Sequence, residues 1–185
     1  MIENNANKTA RVFFALWPDD AERAAMTAWQ SPLQQVCGGR AMAAEKLHNT
    51  LVFLGDVQLE RLEALQLAAQ EVSTERFHVV FDTAKYWGRN HIVYASPREI
   101  PPKLSTLVSS LEKILLCHHF KFDQRGYKPH ITLLRHAKWN DNPLPEMPSV
   151  VWGKQDFALV HSVSGEQGVG YEVLARFPLT FGKQK

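Results

Sequence analysis

Apolar and polar residues along this chain alternate between two periods, and each stretch predicts its own element. RVFFALWP, from Arg11 to Pro18, is a continuous apolar run of strand length closed by a proline, which predicts a buried strand. DDAERAAMTAWQ follows, acidic in its first turn and rich in alanine, and favours a helix that Pro32 bends or ends. Gly38 and Gly39 break the chain before LHNTLVFLG, a strand-length run ending at Gly55. Leu59, Leu62, Leu65, Ala69 and Val72 then recur at spacings of three and four, the stripe of an amphipathic helix. RFHVVFDTA and NHIVYASP are two strand-like runs that KYWGRN joins as a hairpin. PPKLSTLVSSLEKILLC opens on prolines and places Leu104, Leu107, Val108, Leu111, Ile114 and Leu115 on one face of a helix. A loop, KFDQRGYK, leads into the strand PHITLL; residues 140–149 are proline-rich and irregular, and QDFALVHSV and GYEVLARFPL are further strands.

Helices and strands are mixed, and the late hairpins argue against a purely parallel sheet, so the predicted class is α+β with mostly antiparallel sheet. The order also repeats. Helix, loop and a strand carrying His-x-Thr-Leu succeed one another twice, with His48 and His130 82 positions apart, which predicts two lobes of similar build. At 185 residues the chain suits one compact unit, expected over 8–182, with polar, frayed ends at 1–7 and 183–185. The only long apolar stretch near the start, VFFALW, has neither a basic leader nor a cleavage site, so no signal peptide or membrane span is expected. Cys37 and Cys117 carry no metal or redox spacing and predict reduced thiols in a cytoplasmic, monomeric protein.

The repeated phrase is where chemistry enters. On a strand, residues i and i+2 share a face, so His48 with Thr50, and His130 with Thr132, each present an imidazole beside a hydroxyl. Leu51, Phe53, Ile131 and Leu133 are expected to point the other way, into a core. Two such fronts facing each other make a cleft with two imidazoles and two hydroxyls at its centre. In-line displacement at phosphorus puts nucleophile and leaving group on opposite sides, and one imidazole can take a proton while the other gives one. The hydroxyls would hold the non-bridging phosphate oxygens. With eight His in the chain, roughly 0.04 His-x-Thr-Leu strings are expected by chance, so the repetition is the signal.

The net charge of +2 says little, but its distribution says more. Lys121, Arg125, Lys128, Arg135 and Lys138 stand against one acid, Asp123, interleaved with Phe120, Phe122 and Tyr127. Cations with aromatic rings suit nucleic acid, where charge meets phosphate and rings stack on bases. His118 and His119 are adjacent and diverge, no zinc-type spacing is present, and no glycine-rich nucleotide loop occurs, so neither metal nor cofactor is expected. His78, His91 and His161 lie outside any motif and are assigned structural roles.

HNTLVFLG and HITLLR, preceded by RVFFAL, resemble the 2H phosphoesterase superfamily, specifically the RNA 2′,3′-cyclic phosphodiesterases historically called 2′-5′ RNA ligases. The similarity runs from about Arg11 to Phe181. It implies a bilobal fold of two pseudo-symmetric lobes with outer helices and a cleft between them, and chemistry without metal or ATP. It also implies that His48, Thr50, His130 and Thr132 form the site, with His130 as base, His48 as acid and Arg135 as a phosphate contact. Strict alternation would turn Arg135 away from His130, so that contact requires the strand to end or bulge first. Phe14, Trp87 and Tyr127 are candidates for stacking on a terminal base. The implied partner is RNA ending in a 2′,3′-cyclic phosphate, such as tRNA halves. Two alternatives stay open: a sibling enzyme acting on small cyclic-phosphate nucleotides or 2′-5′ oligoadenylates, and a non-catalytic RNA-binding module. Asn49, where an apolar residue is expected, departs from the pattern.

Overall fold

The apolar runs become strands of two four-stranded sheets, in a computed structural model that describes residues 8–165 and 168–182. The first sheet has the order β10-β9-β1-β3 and the second β2-β7-β6-β5. Their strands are β1 (Thr9–Leu16), β3 (Asn49–Gln58), β9 (Asp156–Gly165) and β10 (Gly168–Pro178) in the first. The second holds β2 (Arg40–Ala41), β5 (Thr83–Trp87), β6 (Ile92–Ser96) and β7 (Ile131–Arg135). A separate ribbon pairs β4 (Phe77–Phe81) with β8 (Val150–Lys154), and every one of these ladders is antiparallel. β1 is a central strand between β3 and β9, and its unbroken apolar sequence follows from burial on both faces: Val12, Phe14 and Leu16 pack in the main core, and Phe13 and Ala15 in a smaller cluster with Ala158 and Val160.

Four helices back these sheets: α1 (Asp20–Thr27), α2 (Gln30–Cys37), α3 (Leu62–Gln70) and α4 (Pro102–Cys117). Asp19 starts α1 with a capping box, its carboxylate accepting the Glu22 N–H at 2.7 Å while Glu22 accepts the Asp19 N–H at 3.0 Å. α4 buries the predicted face, Leu104, Leu107, Val108, Leu111 and Leu115, against α3 and β3. α1 and α2 pack instead on β8, β2 and β7. The helix before each motif strand therefore sits on the other lobe: α2 on the second sheet before β3 enters the first, α4 on the first before β7 enters the second. Each lobe is built from both halves of the chain, and one hydrophobic cluster runs through both.

Several boundaries differ from expectation for identifiable reasons. The helical run is interrupted at Ala28–Trp29, so Pro32 falls as the third residue of a second helix, α2, in its first turn, where its missing N–H has no intrahelical acceptor. β3 continues through Gly55 to Gln58, the glycine taking φ +74° at a bulge rather than closing the strand. The run RFHVVFDTA divides at Asp82 into β4, which pairs with β8, and β5, which alone forms the hairpin with β6. Residues 140–149 are irregular. Cys37 is buried, Cys117 exposed, and both are free. The two expected frayed ends, 1–7 and 183–185, lie outside the described residues. Among the described residues no helix is long and apolar enough to cross a membrane.

Candidate active site

Both motifs begin one residue before their strands, and the same irregularity shapes each. In β3, Thr50 pairs with Ala15 and Val52 with Phe14, leaving Leu51 unmatched; in β7, Thr132 pairs with Tyr94 and Leu134 with Val93, leaving Leu133 unmatched. One extra residue per strand shifts the alternation, so the side chain three places after each Thr returns to the front face. That side chain is Phe53 in the first copy and Arg135 in the second. Both line a cleft of about 760 Å³ together with His48, Thr50, His130 and Thr132. Phe53 thus faces the cleft, against the expectation of a core position, whereas Leu51, Ile131 and Leu133 are buried as alternation predicts. The Leu133 carbonyl at the second bulge accepts from the Met42 N–H at 2.9 Å and from Gln30 Nε2 at 3.1 Å, so the kink is held from α2 and the end of β2.

The two imidazoles are fixed in the same way. His48 Nδ1 lies 2.7 Å from the Lys46 carbonyl and His130 Nδ1 lies 2.7 Å from the Lys128 carbonyl. A carbonyl only accepts, so each Nδ1 carries the proton and each neutral ring keeps its lone pair on Nε2. Thr50 Oγ1 donates to His48 Nε2 at 3.1 Å. Around His48 stand Phe13, Trp17 and Tyr171, with ring centroids at 4.9, 5.7 and 5.0 Å. His130 has Trp87 and Tyr94 at 4.8 and 5.8 Å. Burial among these rings lowers the His48 pKa to about 4; the bond to the Lys46 carbonyl opposes this, and the positive charges of His130 and Arg135 add to it. Burial also lowers the His130 pKa, again opposed by its backbone bond.

Asn49 is fully buried behind His48, and it is polar because it has two partners. Its Oδ1 accepts the His130 backbone N–H at 3.3 Å and its Nδ2 donates to Tyr127 Oη at 3.1 Å. Tyr127 is half-buried, packs against the core and is not among the cleft-lining residues, and burial pushes its phenol pKa up. Phe14 is a core residue as well, with no exposed surface and with Phe157 and Phe177 against it at 6.0 Å. Trp87 stands edge-on to His130 as a wall and is not among the cleft-lining residues. The aromatic surface of the cleft comes instead from Phe13, Phe53 and Tyr171, which sequence patterning left in apolar strands without distinction.

The basic segment is likewise redistributed. Of its cations only Arg135 lines the cleft; Arg125 is paired with Asp123, while Phe120, Phe122 and Tyr127 pack with the core. The remaining cleft cations, Arg11, Arg40 and Lys46, come from three other places in the chain, and no Asp or Glu lines the cleft among the described residues. Arg11 also lies over the Phe53 ring, 4.9 Å from its centroid. Arg40 is opposite Arg135 in the β2–β7 register. Gly39, at φ +83°, lets β2 approach so closely that a Cβ there would sit 2.7 Å from the Arg135 carbonyl. His78, His91 and His161 are outside the cleft lining. Among the described residues no three His, Cys, Asp or Glu side chains gather as metal donors.

Comparison with known proteins follows the same lines. The model of the family described as the 2′-5′ RNA ligase superfamily matches residues 17–157. An RNA 2′,3′-cyclic phosphodiesterase of Escherichia coli (strain K12) is 31% identical over 170 residues, covering 92% of this chain and 97% of the relative. One from Archaeoglobus fulgidus is 28% identical over 180 residues, covering 90% and 99%. Among solved structures, E. coli LigT complexed with 3′-AMP superposes with a TM-score of 0.83 at 30% identity, over 94% of this chain and 99% of that one.

Proposed function

Because the chain belongs to the 2′-5′ RNA ligase superfamily, we propose that it opens 2′,3′-cyclic phosphates at RNA ends to 2′-phosphates, with its two motif histidines as acid and base. The observation that carries this reading is the pair of imidazoles held through Nδ1, with Nε2 left for chemistry, in one cleft lined, among the described residues, by four cations and no acid. A polyanion is the ligand such a lining favours. Similarity to relatives named RNA 2′,3′-cyclic phosphodiesterase supports the substrate class.

The Thr50 and Thr132 hydroxyls and the Arg135 guanidinium hold the non-bridging oxygens of the cyclic phosphate. Water attacks phosphorus in line with the P–O3′ bond. His130 Nε2 takes the proton of that water, and His48 Nε2–H gives one to the departing O3′, leaving phosphate on O2′. Each positioned acid or base is worth about 10²- to 10⁴-fold in rate. His48 is neutral in the empty cleft at neutral pH, its pKa being held at about 4. A bound phosphate's negative charge opposes the lowering caused by burial and by the His130 and Arg135 charges, and so favours the protonated His48 that the acid role requires. With an RNA 5′-hydroxyl in place of water, the same displacement forms a 2′-5′ linkage.

The test is incubation of the purified protein, in EDTA, with a short RNA ending in a 2′,3′-cyclic phosphate, resolving 2′- from 3′-phosphate products. A 2′-phosphate end is expected; a 3′-phosphate or no product contradicts the reading. A cyclic mononucleotide run in parallel distinguishes a small-nucleotide enzyme, which would turn it over faster than the oligonucleotide.

A further inference from the structure

We infer that Asn49 is a positioning residue that fixes the second histidine of the site against the first, an inference that rests on the proposed function. The residue immediately following His48 accepts, through its side chain, the backbone N–H of His130 at 3.3 Å. β3 and β7 belong to different sheets and share no backbone ladder. The spacing of two groups that must act on opposite sides of one phosphorus is thus set partly by a single carboxamide. Misplacement by about 1 Å is enough to cost 100-fold in such chemistry.

The carboxamide is itself held. It has no exposed surface, and its Nδ2 donates to Tyr127 Oη at 3.1 Å. Neighbouring positions behind the motifs, Leu51 and Ile131, are apolar and buried. A buried amide without partners costs free energy that an apolar side chain avoids, so an asparagine here is favourable only with both bonds made. Tyr127 keeps the oxygen of Asn49 turned toward His130 by occupying its nitrogen. A second link, from the Asp123 N–H to the Phe53 carbonyl at 2.8 Å, ties the loop before β7 onto β3 and remains when Asn49 is replaced. Loss of Asn49 therefore loosens the alignment of His130 rather than separating the lobes.

The experiment compares Asn49→Leu, Asn49→Asp and Tyr127→Phe with wild type on the cyclic-phosphate RNA, well below each protein's melting temperature. Asn49→Leu is expected to lower kcat about 10- to 100-fold with KM within about threefold. Asn49→Asp, which keeps an oxygen for the His130 N–H and offers a second to the Tyr127 hydroxyl, is expected to recover most of kcat. Tyr127→Phe is expected to lose about two- to fivefold in kcat with the same pattern. In parallel, NMR titration of the imidazoles needs no turnover: Asn49→Leu, or Tyr127→Phe should Asn49→Leu not fold, moves the His130 titration while His48 keeps its own. An unchanged His130 titration overturns the inference, as does a loss confined to KM or an Asn49→Asp as slow as Asn49→Leu. An inactive wild type whose His130 titration still moves with these substitutions sinks the functional reading and leaves the positioning role standing.

Discussion

The two copies of the motif share a strand, a bulge and a way of holding the imidazole, and differ in what stands around them. The first is enclosed: three rings surround His48, and the side chain that its bulge returns to the cleft is Phe53. The second is more open and charged: two rings flank His130, and the bulge returns Arg135, an exposed side chain that still lines the cleft. A common backbone device thus returns a ring to the cleft in one half and a guanidinium in the other. Equal halves would offer a phosphate two equivalent orientations; these halves offer it an anion side and a ring side. The proposed separation of roles between two chemically identical histidines rests on that difference in surroundings.

Exchanging the leaving group separates the two halves most strongly. Nitrophenolate departs without a proton, so a nitrophenyl phosphodiester should restore the His48→Ala variant to near the wild-type rate, while His130→Ala stays about 10²- to 10⁴-fold down. Rescue of His130→Ala instead reverses the roles. The enclosure of His48 should also appear in stability. Its pKa is about 4 folded against about 6.5 in an unfolded chain, so below pH 6.5 the unfolded state binds more protons. Stability is complete above pH 6.5 and is lost as pH falls toward 4, by up to about 3 kcal/mol. Urea unfolding at pH 7 and pH 4.5 should show this loss in wild type and a shallower one in His48→Gln.

On the cationic side, Arg135→Ala should lower kcat/KM about 10- to 100-fold, as expected for a charge-assisted bond to phosphate, with Arg135→Lys recovering only part. Phe53→Ala should raise KM about three- to tenfold with little change in its salt dependence. The smallest effect concerns backbone support. Gly39→Ala forces a Cβ against the Arg135 carbonyl and should reduce kcat/KM about three- to tenfold, whereas Gly38→Ala, which shares a strained positive φ (+60°) but has nothing within 4 Å of its Cβ position, should cost stability while leaving turnover of the folded protein closer to wild type. Steady-state kinetics on the same RNA checks all five variants.

How much of this was legible in the sequence depends on how local the signal is. The His-x-Thr faces, the α4 stripe and the α+β class follow from periodicity within a dozen residues. The bulges at Leu51 and Leu133 do not, because they arise from pairing with β1 and β6; without them, Phe53 is assigned to the core and Arg135 away from the cleft. The basic segment around the second motif was a misleading neighbour in sequence: the cleft draws Arg11, Arg40 and Lys46 from elsewhere, and Arg125 is occupied by Asp123. Phe14 and Tyr127 lie outside the cleft lining for the same reason, since ring chemistry is local and burial is not. Asn49 was visible as a departure, and its meaning required the position of His130.

The central claim is that the two copies act as the two sides of one reaction. It is tested most directly by giving wild type, His48→Ala and His130→Ala, purified identically and in EDTA, the same RNA with a 2′,3′-cyclic phosphate end. The account predicts a 2′-phosphate product from wild type and a loss of about 10²-fold or more in both variants. Turnover by either variant at the wild-type rate would contradict it.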